Sequence, residues 1–425
     1  MLLGGLVAGP AAGPATGVTD DPAEGGLWYY TVPGFEEIHA SGVTGEGITV
    51  AVIDGPIYPD SPDLAGTNLV LPETSFCDED DDGDDLPDPV TSRMPWAEHA
   101  TTLSGLIIGT GTGVSGEPGV RGVAPGATVR LYVSTTLGGA CELDGQDGVI
   151  LSIDQAIADG ADVINLSFSG TTWGTDRIAA LARAQRAGVI IVAASYHEGG
   201  TDLGWPALAN GVIAVESADV NLTLSPTSVT HPQLTVVAPG AHIRALTHST
   251  NWQGYELASG TSYATAWTSG ALALAWSAHP DATANQMIQA LLRTTSQSDG
   301  NLTRIDDHWG YGTVNARNLV EIDPTTLPDV HPLLSQDPEA KPRYEDVLDP
   351  KPEPTAEPTT EPPPEPTQAP PAPDPDTDPA GPLPAILIGA LALVVLVGAT
   401  TAVVLVRRRR TTPPPTPPSP PTLGG

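Results

Sequence analysis

Ser262 lies in a sequence context that suits a nucleophile. It belongs to the stretch GTSYATA at residues 260–266, which opens an apolar segment that continues to residue 278. This pattern predicts a buried helix with the serine in its first turn. Backbone N–H groups and the positive end of the helix dipole would then face an oxyanion formed beside the serine Oγ. The alternative is a serine that only caps a core helix.

A carboxylate and an imidazole precede this serine in positions that suit catalysis. Asp54 ends an apolar run at residues 48–53, which predicts a buried strand with the carboxylate at its carboxyl end. His99 lies in the stretch EHATTLSG, just before a second apolar helix. As alternatives, Asp54 could cap a strand end and His99 could be an ordinary residue at a helix start. The order Asp54, His99, Ser262 favours nucleophilic catalysis by serine.

With these residues in this order, the chain resembles the subtilases, which are subtilisin-like serine proteases. The resemblance covers residues 28–320 and includes three further landmarks, INLS at 164–167, VAPG at 237–240 and GYGTVNA at 310–316. It implies that Ser262 attacks a peptide carbonyl while His99 takes the proton and later passes it to the leaving amine. Asp54 would orient the imidazole and stabilise its charged form. The implied substrate is protein or peptide, and no cofactor is required.

The resemblance also assigns a substrate-binding edge and an oxyanion donor. The edge that pairs with the substrate backbone corresponds to Ser167, Phe168, Ser169 and Gly170. Subtilases place an asparagine donor where this chain has His197, and Tyr196 replaces a small glycine beside the specificity pocket. An imidazole N–H can donate to an oxyanion, so His197 is the predicted donor.

Two other positions depart from the family pattern. The family sequence His-Gly-Thr-His becomes HATT at residues 99–102, and Ala266 replaces the proline of Gly-Thr-Ser-x-x-x-Pro. Without the proline the helix start could shift, which would change the geometry of Ser262. These departures motivate a second hypothesis, a weakly active or inactive scaffold or binding protein with the subtilase fold.

Alternating strand-like and helical runs must position these residues. Short apolar runs predict strands at 48–53, 128–133, 162–168, 189–194, 212–216 and 234–238, and helical periodicity predicts helices at 149–158 and 178–187. Such strands are typical of sheets that are covered on both faces. We therefore predict an α/β protein with a subtilisin-like three-layer fold and a mostly parallel central sheet. Its catalytic residues should gather at the carboxyl ends of the strands.

Charge argues against nucleic acid as a partner. The chain of 425 residues has a formal net charge of −34, from 51 acidic and 17 basic residues. Four of these basic residues are the arginines at 407–410, so the excess of acidic over basic residues is larger still in the part of the chain that precedes them. Phosphate groups would be repelled by such a chain.

Cys77 and Cys141 are the two cysteines of the chain. Either could be a buried free thiol, but two cysteines in an exported protein more often pair, so we predict a disulfide.

An acidic run follows Cys77. Asp78, Asp80 and Asp82 fit the first half of a calcium loop and would supply oxygen ligands to a structural calcium ion. Pro89 occupies the position of the last, bidentate ligand of such a loop. A solvated acidic surface loop is the alternative.

The two ends of the chain predict export and anchoring. Residues 1–17 resemble the remnant of a secretory signal, and residues 18–47 form a short arm before the peptidase domain at 48–322. Residues 323–384 are rich in Pro, Glu, Asp and Thr, which predicts an extended linker.

A transmembrane helix is predicted after this linker. Residues 385–406 carry no charge, and a helix of that length is about 33 Å long, enough to cross a bilayer core of about 30 Å. A buried core helix is the alternative. The arginines at 407–410 predict a cytoplasmic tail at 407–425, and hence a single-pass protein of the cell membrane with its catalytic domain outside.

Among subtilases, this architecture is most similar to that of the mycosins, membrane-anchored proteases associated with type VII secretion. The shared features are a short Trp-containing arm, a Pro-rich stalk, one C-terminal helix, and an insertion between the catalytic Asp and His. The likeness implies the cytoplasmic membrane and the type VII secretion machinery as partners.

Overall fold

A parallel sheet forms the centre of the protein. The computed structural model describes residues 24–78, 87–136, 139–196 and 200–348. Within this part of the chain the sheet contains β1 (Thr49–Asp54), β2 (Leu69–Val70), β3 (Thr128–Val133), β4 (Val163–Leu166), β5 (Ile190–Ala194), β6 (Ile213–Ala218) and β7 (Val236–Pro239). Their order is β7-β6-β5-β4-β1-β3-β2, and each neighbouring pair is parallel. The predicted α/β fold with a mostly parallel sheet is confirmed.

Helices cover both faces of this sheet. The described residues form α1 (Trp28–Thr31), α2 (Phe35–Ala40), α3 (Glu98–Ile108), α4 (Gly148–Ala158), α5 (Thr175–Arg186), α6 (Thr261–Ala278), α7 (Ala284–Arg293), α8 (Ala316–Glu321) and α9 (Tyr344–Leu348). Helices α3 and α6 pack on one face, and α4 and α5 pack on the other. The helices predicted at 149–158 and 178–187 correspond to α4 and α5.

The side chains of β1 show why two helical layers are needed. Val50 and Val52 join the core on the α3 and α6 side, whereas Ala51 and Ile53 join the core on the α4 and α5 side. All four side chains are fully buried. Because successive residues of a strand point to opposite faces, a strand that is apolar at every position must lie between two layers.

Short elements border the sheet. Antiparallel pairs join Thr110–Thr112 with Pro118–Arg121, Thr135–Thr136 with Gly139–Ala140, Glu142–Leu143 with Gln146–Asp147, and Ile243–Leu246 with Tyr255–Ala258. Single 3-10 turns occur at Glu24–Gly26, Pro62–Leu64, Pro95–Ala97, Val114–Gly116, His248–Thr250 and Pro324–Thr326.

The N-terminal arm is part of the core. Trp28 and Tyr29 of α1 are buried, and the Trp28 indole N–H donates to Ala241 O at 3.0 Å. Trp267 of α6 donates its indole N–H to Tyr29 O at 3.0 Å. The ring of Phe35 packs edge-on against Trp267, with centroids 5.7 Å apart. The arm therefore holds α6, the helix that carries the predicted nucleophile.

Residues 323–348 belong to the predicted linker, yet they pack against the domain. Leu334 and Val347 are buried beside Ala182 of α5. The amide of Asn210 donates to Ser335 O at 2.9 Å, and its carbonyl oxygen accepts from the N–H of Ser335 at 2.7 Å. Composition predicts that this segment does not fold alone. A few apolar side chains are enough to hold it in place when the domain supplies the surface against which they pack.

Several predicted segments lie outside the described residues. These are the signal-like residues 1–17, the linker from residue 349, the transmembrane segment at 385–406 and the tail at 407–425. Among the residues that are described, no helix is both long and apolar enough to cross a membrane.

Cys77 and Cys141 form the predicted disulfide, with their Cα atoms 5.1 Å apart. The bridge joins two segments beside the carboxyl end of β3. On one side, the N–H of Phe76 donates to Val133 O at 2.7 Å, and on the other the N–H of Cys141 donates to Ser134 O at 3.1 Å. Of the predicted calcium ligands, Asp80 and Asp82 lie outside the described residues.

Loss of this disulfide should destabilise the protein. The two cysteines are 64 residues apart, and closing a loop of that length contributes about 4 kcal/mol in the chain-entropy model. We expect the Cys77→Ser/Cys141→Ser variant to lose free energy of unfolding of that order in denaturant titrations. Reducing agent should shift the wild type to the same midpoint and leave the variant unchanged. Equal midpoints for wild type and variant would contradict this prediction.

Candidate active site

Asp54 and His99 meet at the carboxyl edge of the sheet. Asp54 is the last residue of β1 and is buried, and His99 is the second residue of α3. His99 Nδ1 lies 2.9 Å from Asp54 Oδ2 and 3.0 Å from Oδ1. The N–H of Gly55 also donates to Asp54 Oδ1, at 2.8 Å. A carboxylate held in this way keeps the proton on Nδ1, so Nε2 is left to accept one.

The neighbour of His99 fixes the start of α3. Glu98 Oε1 accepts from Thr247 Oγ1 at 3.0 Å and from the backbone N–H of His248. These hydrogen bonds connect the first turn of α3 to the loop of the hairpin that is formed by Ile243–Leu246 and Tyr255–Ala258. The His99 side chain remains 37% exposed, so the imidazole is accessible to a substrate.

The environment of His99 favours its protonated form. Burial lowers the pKa of the imidazole, but the charge of Asp54 and the hydrogen bond to it raise the pKa, and the net shift is upward from 6.5. Asp54 therefore stabilises the imidazolium that forms when His99 accepts a proton.

Ser262 lies in the first turn of α6, as predicted. Its Oγ donates to Ser167 O at 2.8 Å, and Ser167 Oγ donates in return to Ser262 O at 2.9 Å. The ring of Tyr263 lies 6.2 Å from the His99 ring, so the residue after the serine borders the imidazole. A hydroxyl has a single hydrogen, so Ser262 can donate to His99 only when it gives up its hydrogen bond to Ser167 O.

Helix α6 has Ser262 in its first turn although Ala266 replaces the proline of the family pattern. Helix α6 begins at Thr261, and Ala266 is fully buried inside it. Gly240, after β7, allows the close approach that fixes this start, and its O accepts from the N–H of Gly260 at 2.8 Å. An added Cβ at Gly240 would lie 2.9 Å from the Cβ of Ala264, so a larger residue would displace the helix. This explains the VAPG landmark.

The predicted substrate-binding edge directly follows β4. Gly170 pairs with Trp205 through two backbone hydrogen bonds of 2.8 Å each. Phe168 and Tyr196 are half-buried and pack on the core between the sheet and helices α4 and α5. Among the described residues the buried hydroxyl of Ser169 has no hydrogen-bond partner. The hydroxyl of Ser167 donates to the backbone of Ser262 and so connects this edge to the first turn of α6.

Gly204 was not identified from the sequence, yet it brings two predicted residues together. An added Cβ at Gly204 would lie 2.3 Å from Ser169 Oγ and 3.0 Å from Tyr196 Cβ. Its φ of +72° also favours glycine. The signal available in the sequence was a glycine just before Trp205-Pro206, which is typical of a tight turn. His197, the predicted oxyanion donor, lies outside the described residues.

Comparison with known proteins identifies the family. Residues 45–312 match the subtilase family of peptidases, family S8. The chain belongs to the subtilase family. This subtilase is 31% identical to subtilisin E of Bacillus subtilis over 290 residues, which is 66% of the chain and 67% of subtilisin E. It is 30% identical over 280 residues to the halolysin-like extracellular serine protease Nep of Natrialba magadii, and spans 48% of that protein.

Solved structures share the fold. The prenylagaramide maturation protease PagA matches with a TM-score of 0.55 at 23% identity, over 68% of this chain and 98% of PagA. Fervidolysin from Fervidobacterium pennivorans, described as a keratinolytic enzyme related to subtilisin, matches with a TM-score of 0.55 at 23% identity, over 68% of this chain and 45% of fervidolysin. These likenesses show the fold, and membership of the family supports serine endopeptidase activity.

Proposed function

We propose that this subtilase is a membrane-anchored extracytoplasmic serine endopeptidase with Asp54, His99 and Ser262 as its catalytic triad. The hydrogen bond between Asp54 and His99, beside the first turn of α6, carries the proposal. Ser262 Oγ attacks the peptide carbonyl while His99 Nε2 takes its proton, and the same nitrogen then protonates the leaving amine. Water then attacks the acyl-enzyme while His99 Nε2 takes its proton, and Ser262 leaves with that proton as the acid product is released. Asp54 stabilises the imidazolium in both steps.

The substrate is proposed to bind as an added strand. Its backbone would pair with residues 167–169, which continue from the carboxyl end of β4. The predicted member Gly170 is not available for this pairing, because its N–H and O are bound to Trp205. Ser169, Tyr196 and Gly204 border the position proposed for the side chain before the scissile bond. The glycine at 204 allows Ser169 and Tyr196 to pack closely against it, since an added Cβ would collide with both.

The proposed location rests on the sequence. The uncharged segment at 385–406 and the arginines at 407–410 support a single-pass anchor with the catalytic domain outside the cytoplasmic membrane. The likeness to mycosins supports an association with type VII secretion machinery. A structural calcium ion bound by Asp78, Asp80 and Asp82 is a further proposal, which calcium titration calorimetry of the purified protein would test.

A second candidate is a subtilase-fold scaffold with little or no activity. The hydrogen bond from Ser262 Oγ to Ser167 O favours it, because the single hydrogen of the nucleophile is then donated to a backbone carbonyl and not to His99. A fluorophosphonate probe separates the two functions, since it reacts only with a serine that a base activates. Labelling of the wild type but not of Ser262→Ala supports the peptidase, and labelling of neither supports the scaffold.

His197 provides a test of the proposed oxyanion hole. If its N–H donates to the oxyanion, His197→Ala should lower kcat by about 10²–10³ and leave KM little changed, because the interaction exists only in the transition state. His197→Asn should keep or raise kcat, since an amide offers a similar donor. Equal rates of peptide hydrolysis by all three proteins would place the oxyanion donor elsewhere.

A further inference from the structure

Glu216 is a fully buried carboxylate that the proposed triad does not use. It lies in β6, where Oε1 accepts from the N–H of Ser217 at 2.8 Å. Oε2 accepts from the N–H of Val229 at 3.0 Å and from Ser195 Oγ at 3.1 Å. Burial raises the pKa of this carboxyl. Burying such a group is costly unless its hydrogen bonds are made, and here three donors converge on it.

Ser195 connects Glu216 to the helix that carries the nucleophile. It follows β5 and is fully buried, and its carbonyl oxygen accepts from Thr261 Oγ1 at 2.9 Å. Thr261 is the first residue of α6 and directly precedes Ser262. One continuous set of hydrogen bonds therefore runs from β6 through the end of β5 to the first turn of α6.

Val229 extends the same set to Gly200. Val229 forms a parallel bridge with Gly200, and the N–H of Thr230 donates to Gly200 O at 2.9 Å. Glu216 therefore anchors the chain at Ser195 through its side chain and at Gly200 through the backbone of Val229. Tyr196, beside the proposed position of the substrate side chain, directly follows the first of these anchors.

We propose that Glu216 is a positioning residue, which acts through Ser195 and Thr261 to fix the first turn of α6 and the neighbouring Tyr196. It sets the position of Ser262 relative to residues 167–170 without touching the substrate. The proposal rests on the peptidase function proposed above.

Glu216→Gln is the informative substitution because it keeps the size of the side chain. One carboxylate oxygen becomes an NH₂ group, so a side-chain N–H donor then faces a backbone N–H donor. Ser195 can turn its hydroxyl to accept, but the backbone N–H groups of Ser217 and Val229 cannot reorient. The substitution should therefore loosen the contact that aligns α6 without emptying the core.

Asp63→Asn is the matched control. Asp63 is also buried, and it accepts from the N–H of Val120 and from the Tyr255 hydroxyl, which lies 3.0 Å from its Oδ1. The control likewise replaces one oxygen of a buried carboxylate by an NH₂ group, but at contacts between Pro62–Leu64 and the hairpins. Both variants should melt below the wild type. Only Glu216→Gln should lower kcat, by about 10-fold to 100-fold with KM nearly unchanged, as expected for a small misplacement of a catalytic group.

Coupling between residues separates positioning from general destabilisation. Thr261→Val removes the hydroxyl that binds Ser195 O, so it interrupts the same path. In a double-mutant cycle, Glu216→Gln should lower kcat by a smaller factor in the Thr261→Val background than in the wild type. Fully additive losses, or a kcat for Glu216→Gln equal to that of Asp63→Asn, would overturn the proposal.

Hydrogen exchange keeps this test independent of the peptidase assay. Peptides covering residues 195–200 and 260–265 should exchange faster in full-length Glu216→Gln than in wild type or Asp63→Asn. If the wild type hydrolyses no peptide, the proposed function fails, and faster exchange at these two segments still supports positioning by Glu216. Unchanged exchange at both segments would overturn the positioning role, whatever the activity of the wild type.

Discussion

Ser262→Ala should reduce kcat for peptide hydrolysis by about 10⁶, the scale of loss when the nucleophile of a triad is removed. The substitution deletes the oxygen that forms the acyl-enzyme. KM should change little, since the substrate-binding edge is unaltered. The measurement is kcat and KM on an internally quenched peptide, with fluorophosphonate labelling of the same preparations.

Ser41→Ala is the control for this experiment. Ser41 is exposed at the end of α2, and its hydroxyl donates to Ile38 O within the arm. The control should keep wild-type kcat and labelling. Residual activity of Ser262→Ala equal to that of the wild type would remove Ser262 from the mechanism and would exclude the proposed triad.

Asp54→Asn should lower kcat by about 10⁴ at neutral pH while the fold is retained. An amide in this place can donate to His99 Nδ1, which favours the wrong tautomer and leaves Nε2 protonated. It also removes the negative charge that stabilises the imidazolium. Far-ultraviolet circular dichroism would verify the fold, and peptide hydrolysis would give kcat.

The pH profile supplies a second measure of the same interaction. Because Asp54 raises the pKa of His99, the wild-type kcat/KM should fall on the acidic side with a midpoint above 6.5, since only the neutral imidazole acts as a base. In Asp54→Asn this midpoint should move to lower pH. Asp154→Asn, on α4 and paired with Arg183, should leave kcat and midpoint unchanged. A wild-type midpoint at or below 6.5 would contradict the assigned role of Asp54.

The central sheet could be predicted closely because its signal is local. The apolar run before Asp54 predicts a strand that is covered on both faces, and the structure has β1 between two helical layers. The short β2 (Leu69–Val70) was missed, since two half-buried residues on an edge leave almost no periodic pattern. The predicted strand at 162–168 ends earlier, at Leu166, where the predicted substrate-binding edge begins.

Pairing between distant segments was predictable only where chemistry limited the choices. Two cysteines allow a single intramolecular bridge, and the structure confirms the Cys77–Cys141 disulfide. The segment at 323–348 offered no such limit. Asn210 binds Ser335 across 125 residues of chain, and neither residue type distinguishes this contact from a solvent-exposed one.

The sequence by itself determined the fold class, the order Asp54, His99, Ser262, and the kind of element that ends or begins near each of these residues. These features follow from local periodicity and from residue types that suit one chemistry. Only the tertiary structure decided which surfaces meet. It gave Ser262 Oγ the carbonyl of Ser167 as its partner, placed Gly204 between Ser169 and Tyr196, and linked Glu216 to the start of α6. Contacts of this kind depend on how whole layers pack, because a buried polar atom binds whichever partner the packing brings within reach.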